Sequence, residues 1–476
     1  DFFDARYAKA RALDILEQTR DAITAYNDAL AIQPLHVPSL YYKGSALMRL
    51  DEPEAAVKIF DRALEIDPGV ADVQFDKGRA LFRMGMFREA VKTFDKVISI
   101  DKNYPAAYYE KGQVLASLGR HDEAIIAFNR SIELAPDNER AHYHKGISQG
   151  ALGRHIDAID AFDRVLALSP QLVDAWLQRG KALAELGRQN DAIESYIRTL
   201  TIDSTNADAW FLKGKALFAL GSFDDATESF NRAIEIRPDM AEAHYNKGRA
   251  LSEIGMFREA VIAFDNALGI QPKYVDALYA KGTALIRLSR YDDAVAALDL
   301  ALKIRPNAGR IWTGKGIALS RLGRDREAVS LFTKALSIDP QDAVANYHHG
   351  VSLLRLERYH DAIRQFESAL AKRPKCEEAL YQKGRALALL GMHHEAIASY
   401  DRALALNDRI AEALLYRGIS HAHLDDYSLA LADYDRALAL NGDFAAPYLF
   451  RGIAQIHMEQ YREALKNIDA ALALQP

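Results

Sequence analysis

Residues 241–274 read AEAHYNKGRALSEIGMFREAVIAFDNALGIQPKY, and the spacing of the apolar residues within them decides the fold. Ala243, Tyr245, Ala250, Leu251 and Ile254 fall at helical intervals, Gly255 interrupts, and Ala260, Val261, Phe264, Leu268 and Ile270 resume the interval. Pro272 ends the second run. The stretch predicts a helix, a tight turn and a second helix, and no strand pattern occurs here or elsewhere in the chain.

Moving outward in steps of 34 residues reproduces this unit along the whole sequence. Glycine stands at 44, 78, 112, 146, 180, 214, 248, 282, 316, 350, 384, 418 and 452, and alanine at 22, 56, 90, 124, 158, 192, 226, 260, 294, 328, 362, 396, 430 and 464. The 476 residues amount to fourteen such steps. The chain therefore reads as one continuous array of repeats at 3–36, 37–70, 71–104, 105–138, 139–172, 173–206, 207–240, 241–274, 275–308, 309–342, 343–376, 377–410, 411–444 and 445–476. In this phase glycine is position 8, with Ala10 as its one exception, and alanine is position 20. A mid-helix glycine costs roughly 0.5–1 kcal/mol relative to alanine, so close packing must offset it. The two helices of a hairpin are expected to meet backbone to backbone there, with the position-24 column (Phe60, Phe94, Phe264, Tyr400 and their equivalents) filling the remaining gap. A turn glycine recurs at 85, 119, 153, 187, 221, 255, 323 and 391, where a left-handed backbone is required. One hairpin cannot bury all these apolar residues, so neighbours must stack into a continuous core. GMFREAV at 85–91 returns at 255–261, and DRALALN at 401–407 returns at 435–441, which marks the repeats as near-copies.

These columns resemble the tetratricopeptide repeat. That family's unit carries a large residue at position 4, here Trp176, Trp210 and Trp312, with Gly at 8, Leu at 11, Ala at 20, an aromatic at 24 and Pro at 32. Departures are local: Lys102, Ser204, Asp408 and Gly442 replace the proline, and Gln149, His421 and Gln455 replace the leucine. The resemblance covers essentially the whole chain. It implies an all-α fold, a right-handed superhelical solenoid of antiparallel helix pairs whose first helices line a concave groove. The function it implies is a non-catalytic scaffold that binds a protein or an extended peptide.

Composition and motifs narrow the alternatives. Lys plus Arg number 60 against 66 Asp plus Glu, a net charge of -6, so nucleic acid is not an expected partner. No span of 18 apolar residues and no signal peptide is present, which predicts no membrane insertion and a cytoplasmic location. Cys376 is the single cysteine, and no metal-ligand spacing, nucleotide loop or nucleophile motif occurs, so neither a cofactor, a metal nor an enzymatic activity is expected. His142/His144, His348/His349, His393/His394 and His421/His423 diverge on a helix; only His360 and His394, at equivalent turn positions of adjacent repeats, are placed to converge. The Asn129-Arg130-Ser131 sequon lies inside a predicted helix and is not expected to be glycosylated.

The resemblance places the groove on positions 2, 5, 9, 12 and 13. Position 5 is aromatic in ten repeats, including Tyr245, Tyr279, Tyr347 and Tyr381. Position 9 offers Arg249 and position 13 offers Arg287, Arg321 and Arg355 in consecutive repeats, a set suited to a peptide bearing carboxylates. Two readings stand: the rings and guanidinium groups form a binding surface, or the rings pack against neighbouring hairpins and the acids of position 2, such as Asp276, neutralise the basic columns. The carboxylate clamp of chaperone-binding members uses Lys at position 5 and is not matched. Position 7 is basic throughout except at His349, and position 19 is acidic in twelve repeats, which predicts pairing between the two columns. At the ends, Tyr7, Leu13 and Ile15, and Ile468, Leu472 and Leu474, are expected to present apolar faces. The chain reads there as a piece of a longer repeat protein or as a protomer that joins copies of itself head to tail into a filament.

Overall fold

The computed structural model describes residues 2–475. Among them are 28 α-helices in antiparallel pairs, without a strand, numbered α1 (Phe2–Ile15) to α28 (Tyr461–Leu474) in chain order. From α3 (Val37–Arg49) and α4 (Pro53–Ile66) onward the pattern is invariant: an odd-numbered helix of 13 residues, then an even-numbered helix of 14. The chain divides into two compact halves, Asp1–Pro238 and Asp239–Pro476. Each half is a solenoid of seven hairpins. In both, first helices of neighbouring repeats touch one another directly, as α3 does α5 (Ala71–Arg83), and α17 (Val275–Arg287) does α19 (Gly309–Arg321). Within each half, every second helix packs against the first helix of the next repeat.

The turn between helices follows from one residue. Position 15 has a positive φ in every repeat: 73° at Gly85 and 82° at Gly255, but also 58° at Ser289 and 59° at Glu357, where a side chain must tolerate the left-handed region. The reversal lets the amide of position 16 donate back to the carbonyl of position 11, as Met256 does to Leu251 at 2.9 Å.

Glycine at position 8 is explained differently from the backbone-to-backbone expectation. A Cβ placed on Gly44 would lie 2.3 Å from Cε1 of Phe60, on Gly112 2.5 Å from Phe128, and on Gly384 2.5 Å from Tyr400. The missing side chain is thus the seat of the position-24 ring itself. Backbone approach is secondary: a Cβ on Gly452 would lie 3.1 Å from the Ala464 carbonyl oxygen, and one on Gly418 3.2 Å from that of Ala430. The rings so seated, such as Phe60, Phe94 and Tyr400, are fully buried. Each contributes about 1.5–3 kcal/mol by leaving water, more than the roughly 0.5–1 kcal/mol that its helical glycine costs.

Charges link consecutive repeats, but not through the predicted columns. Position 7 pairs with position 25 of the preceding repeat: Lys111 with Asp95 at 2.6 Å, Arg179 with Asp163 at 2.6 Å, Lys281 with Asp265 at 2.6 Å, Lys315 with Asp299 at 2.6 Å, and Lys383 with Glu367 at 2.7 Å. The position-19 acids pair locally with an arginine three residues earlier, as in Arg120 with Glu123 and Arg324 with Glu327. The physical reason is the stacking order: a first helix lies against the previous second helix, which brings position 25 rather than 19 beside position 7.

Candidate functional site

The face built from first helices carries the predicted groove residues. In the C-terminal half, Tyr245 stands on α15 (Ala241–Glu253), Tyr279 on α17, Tyr347 on α21 (Ala343–Arg355) and Tyr381 on α23 (Glu377–Leu389). All four are half-buried. Three lean on their own repeat's core ring: Tyr245 on Phe264 at 6.1 Å between centroids, Tyr347 on Phe366 at 6.2 Å, and Tyr381 on Tyr400 at 6.3 Å. Tyr245 is also held by Tyr274 at 4.9 Å, and Tyr381 by Tyr416 at 6.1 Å. Burial raises the phenol pKa of each, that of Tyr381 to about 12, so the hydroxyls remain neutral donors at physiological pH. The packing reading of this column therefore holds for three of the four rings, and each of the four keeps part of its surface exposed.

The basic columns are partly spent on the fold. The position-9 cations lie over the position-5 ring one turn back, Arg249 over Tyr245 at 5.8 Å and Arg385 over Tyr381 at 5.8 Å. Arg249 also donates to Asn246 Oδ1 at 3.2 Å. Position-13 arginines reach back to the preceding repeat. Arg83 donates to the Met48 carbonyl at 3.0 Å, and Arg355 donates to the carbonyl of Ser320 at 2.9 Å and to its Oγ at 3.1 Å. That serine belongs to a buried chain in which Ser352 donates to Ser320 Oγ at 2.9 Å and Ser320 donates to Asp325 Oδ1 at 2.9 Å. Arg355 is thereby an inter-repeat tie. Arg287 lies over the Phe257 ring at 4.9 Å, and Arg321 is exposed; among the described residues, the ion pairs include neither. The position-2 acids do not neutralise these columns: Asp276 pairs with Arg310, the position-2 residue of the next repeat.

An open cavity of about 670 Å³ interrupts this face between α15, α17, α19 and the start of α21. Tyr279 and Arg287 line it, together with Phe257, Thr313, Gly314 and Ile317. Thr313 and Gly314 escaped the sequence reading, although the signal was present. In the other thirteen repeats position 5 is aromatic or leucine, and position 6 is glycine in this repeat alone.

The other predicted sites resolve plainly. Among the described residues, no group of three or more His, Cys, Asp or Glu side chains is placed to hold a metal ion, and no helix is long and apolar enough to cross a membrane. The histidine rings that stack across repeats are His393 and His423, 4.5 Å apart and 13° from parallel, rather than His360 and His394. Of the residues assigned to the end faces, Tyr7 packs on Tyr26 and His36, and Ile468 sits against Gly452. Leu13 is half-buried beside Tyr26, whereas Ile15 is 73% exposed, Leu472 57% and Leu474 39%.

Models of the tetratricopeptide repeat match residues 7–71, 75–139, 245–309, 279–343, 347–408 and 390–446, and another matches 47–101. A TPR repeat model matches 180–221 and 214–255. No curated protein matches the chain. Among solved structures, the chain is similar to the APC/C hetero-tetramer Cut9-Hcn1, at 15% identity and a TM-score of 0.44 over 95% of this chain and 96% of that one. It is similar to YrrB, a TPR protein with an unusual peptide-binding site, at 25% identity and a TM-score of 0.37 over 40% of this chain and 98% of that one. It is also similar to MamA, at 29% identity and a TM-score of 0.33 over 34% and 94% of the two chains.

Proposed function

Because the chain belongs to the tetratricopeptide repeat family, we propose that it is a non-catalytic scaffold that binds an extended peptide bearing carboxylates along the first-helix face of its C-terminal half. The observation that carries this reading is the pair Arg287 and Arg321. They stand one repeat apart beside half-exposed tyrosines, while Arg355 and the position-7 cations Lys281, Lys315 and Lys383 are already engaged by the fold. Unpaired guanidinium groups next to phenol rings suit carboxylates and peptide backbone together.

The test is selection of random peptides on the full chain. Enrichment of Asp and Glu is expected, and reversing both charges, Arg287→Glu with Arg321→Glu, should weaken capture at least tenfold at unchanged helicity. Capture indifferent to the double reversal removes this face from the account. The competing reading is end-to-end self-association through the exposed Ile15, Leu472 and Leu474. Sedimentation velocity separates the two, since that reading requires assembly to grow with concentration and to fall when these three side chains become serine.

A further inference from the structure

We infer that the cavity beside Thr313 and Gly314 is a socket for one aromatic side chain of the bound peptide, which makes an aromatic residue flanked by acids the recognition element of this protein. The inference rests on the first-helix face being the binding face, and it adds what that face selects.

Three substitutions in the repeat pattern coincide here. Position 24 of repeat 275–308 is Leu298 instead of a ring, position 5 of repeat 309–342 is Thr313 instead of a ring or leucine, and position 6 is Gly314. The Thr313 hydroxyl is engaged at the cavity wall, donating at 3.0 Å to Oδ2 of Asp342, which also lines the cavity. A Cβ on Gly314 would meet only ordinary contacts, 3.6 Å from Leu298 and from Tyr279 Cε2. Glycine is therefore not forced on this position as it is on position 8, and its effect is to leave the wall open.

The ring bookkeeping of the face identifies the occupant. Tyr245, Tyr347 and Tyr381 each rest on at least one other ring. Tyr279 has no ring neighbour among the described residues; its one aromatic-type contact is the Arg310 guanidinium at 5.0 Å. Tyr279 and the Arg310 guanidinium over it both line the cavity, with Ile286 and Ile317 as apolar walls, and its volume of about 670 Å³ falls within the ~300–1,000 Å³ of ordinary ligand pockets. A flat ring stacked on Tyr279 restores the packing that the other repeats achieve with their own side chains. Arg287 stands at the rim, positioned for a carboxylate adjacent to that ring in the peptide.

The experiment uses the full chain and capped, fluorescein-labelled nonapeptides with aspartate on both sides of a central residue that is Phe, Tyr, Trp, Leu or Ala. Fluorescence polarisation should show at least tenfold tighter binding for an aromatic centre than for Ala, with Leu between. Two variants fill the socket: Thr313→Tyr with Gly314→Asn, the pair that stands at positions 5 and 6 of repeat 241–274, and Ile286→Phe, a residue already present at position 12 as Phe82 and Phe218. In whichever variant keeps the wild-type melting curve, the aromatic preference should collapse to within twofold while the Asp-dependent binding persists. A preference that survives filling, or equal binding of all five centres through Arg287 and Arg321, overturns the socket and leaves the binding face standing. Absence of any binding across the series overturns both.

Discussion

Helix α9 (Glu139–Ala151) contains two glycines one turn apart that should respond oppositely to the same methyl group. Alanine is favoured over glycine inside a helix by about 1 kcal/mol, and this gain is common to Gly146→Ala and Gly150→Ala. At Gly150 nothing lies within 4 Å of the added Cβ, so the gain should appear undiminished. At Gly146 the Cβ would stand 2.7 Å from Cε1, 2.9 Å from Cζ and 3.1 Å from Cδ1 of Phe162, whose ring is 2% exposed and cannot swing outward. Overpacking of that kind costs about 1–3 kcal/mol. The first repeat sets the lower end of that range, because Ala10 occupies the same position there beneath a fully buried Tyr26. Taking the middle of the range, about 2 kcal/mol, and subtracting the helix gain leaves Gly146→Ala destabilised by about 1 kcal/mol, hence a difference of about 2 kcal/mol between the variants. Guanidinium unfolding followed by circular dichroism gives the direction. Because long repeat arrays lose two-state cooperativity, hydrogen exchange of α9 and α10 (His155–Leu168) should accompany it. If both variants shift in the same direction, the ring is not what excludes a side chain at position 8.

Three further outcomes follow from the same geometry. Glu357→Gly and Ser289→Gly relieve left-handed strain at φ of 59° and 58°, and each should raise stability by about 1 kcal/mol in thermal melts; a loss in both would refute the strain. Asp433, 4% exposed and bonded to Arg417 Nε at 2.8 Å, should cost about 1–3 kcal/mol when replaced by alanine, because the half-buried arginine loses one of its two carboxylates and keeps only Asp401, whereas Asp299→Ala, opposite Lys315 in a half-exposed pair, should cost under about 1 kcal/mol by the same denaturant assay. Burial, reinforced by Arg358 and opposed by Asp361, lowers the His349 pKa from 6.5 to about 4. The folded state then binds fewer protons than the unfolded one, so this residue's contribution is intact above pH 6.5 and falls by up to about 1.4 kcal/mol per unit between pH 6.5 and 4. His349→Gln should flatten the urea midpoint over that window, and an unchanged slope refutes the assignment.

Periodicity made the helices and turns readable without coordinates. The left-handed angle at Glu357 follows from the phase that Gly255 and Gly323 define, even though its residue type argues against it. What the columns could not supply was which neighbour each residue faces. Position 7 was matched to position 19 because opposite charges recur there in fixed phase, yet stacking brings Asp299 rather than a position-19 acid to Lys315. The same limit applies to the site. The tyrosine column and Arg287 were visible as residue types, but whether an arginine is free depends on the repeat before it: Arg355 finds Ser320, while Arg287 finds only the face of Phe257. Thr313 and Gly314 were overlooked for another reason. They matter as interruptions, and a column read for what it contains does not display what it lacks.

The ion pairs between position 7 and position 25 of the preceding repeat always span sixteen residues, from Lys77–Asp61 to Arg451–Asp435. A contact defined by a fixed offset carries no record of where along the chain it sits. Excising or duplicating a whole repeat inside one half preserves that offset and, where position 25 is acidic as at Asp265, Asp299, Glu367 and Asp401, rejoins an acid to a base, whereas the loss of a single residue breaks the offset of a pair that spans the cut. Length in this molecule is therefore free to change in one quantum only, and the near-identical segments at 85–91 and 255–261 are what such copying leaves behind.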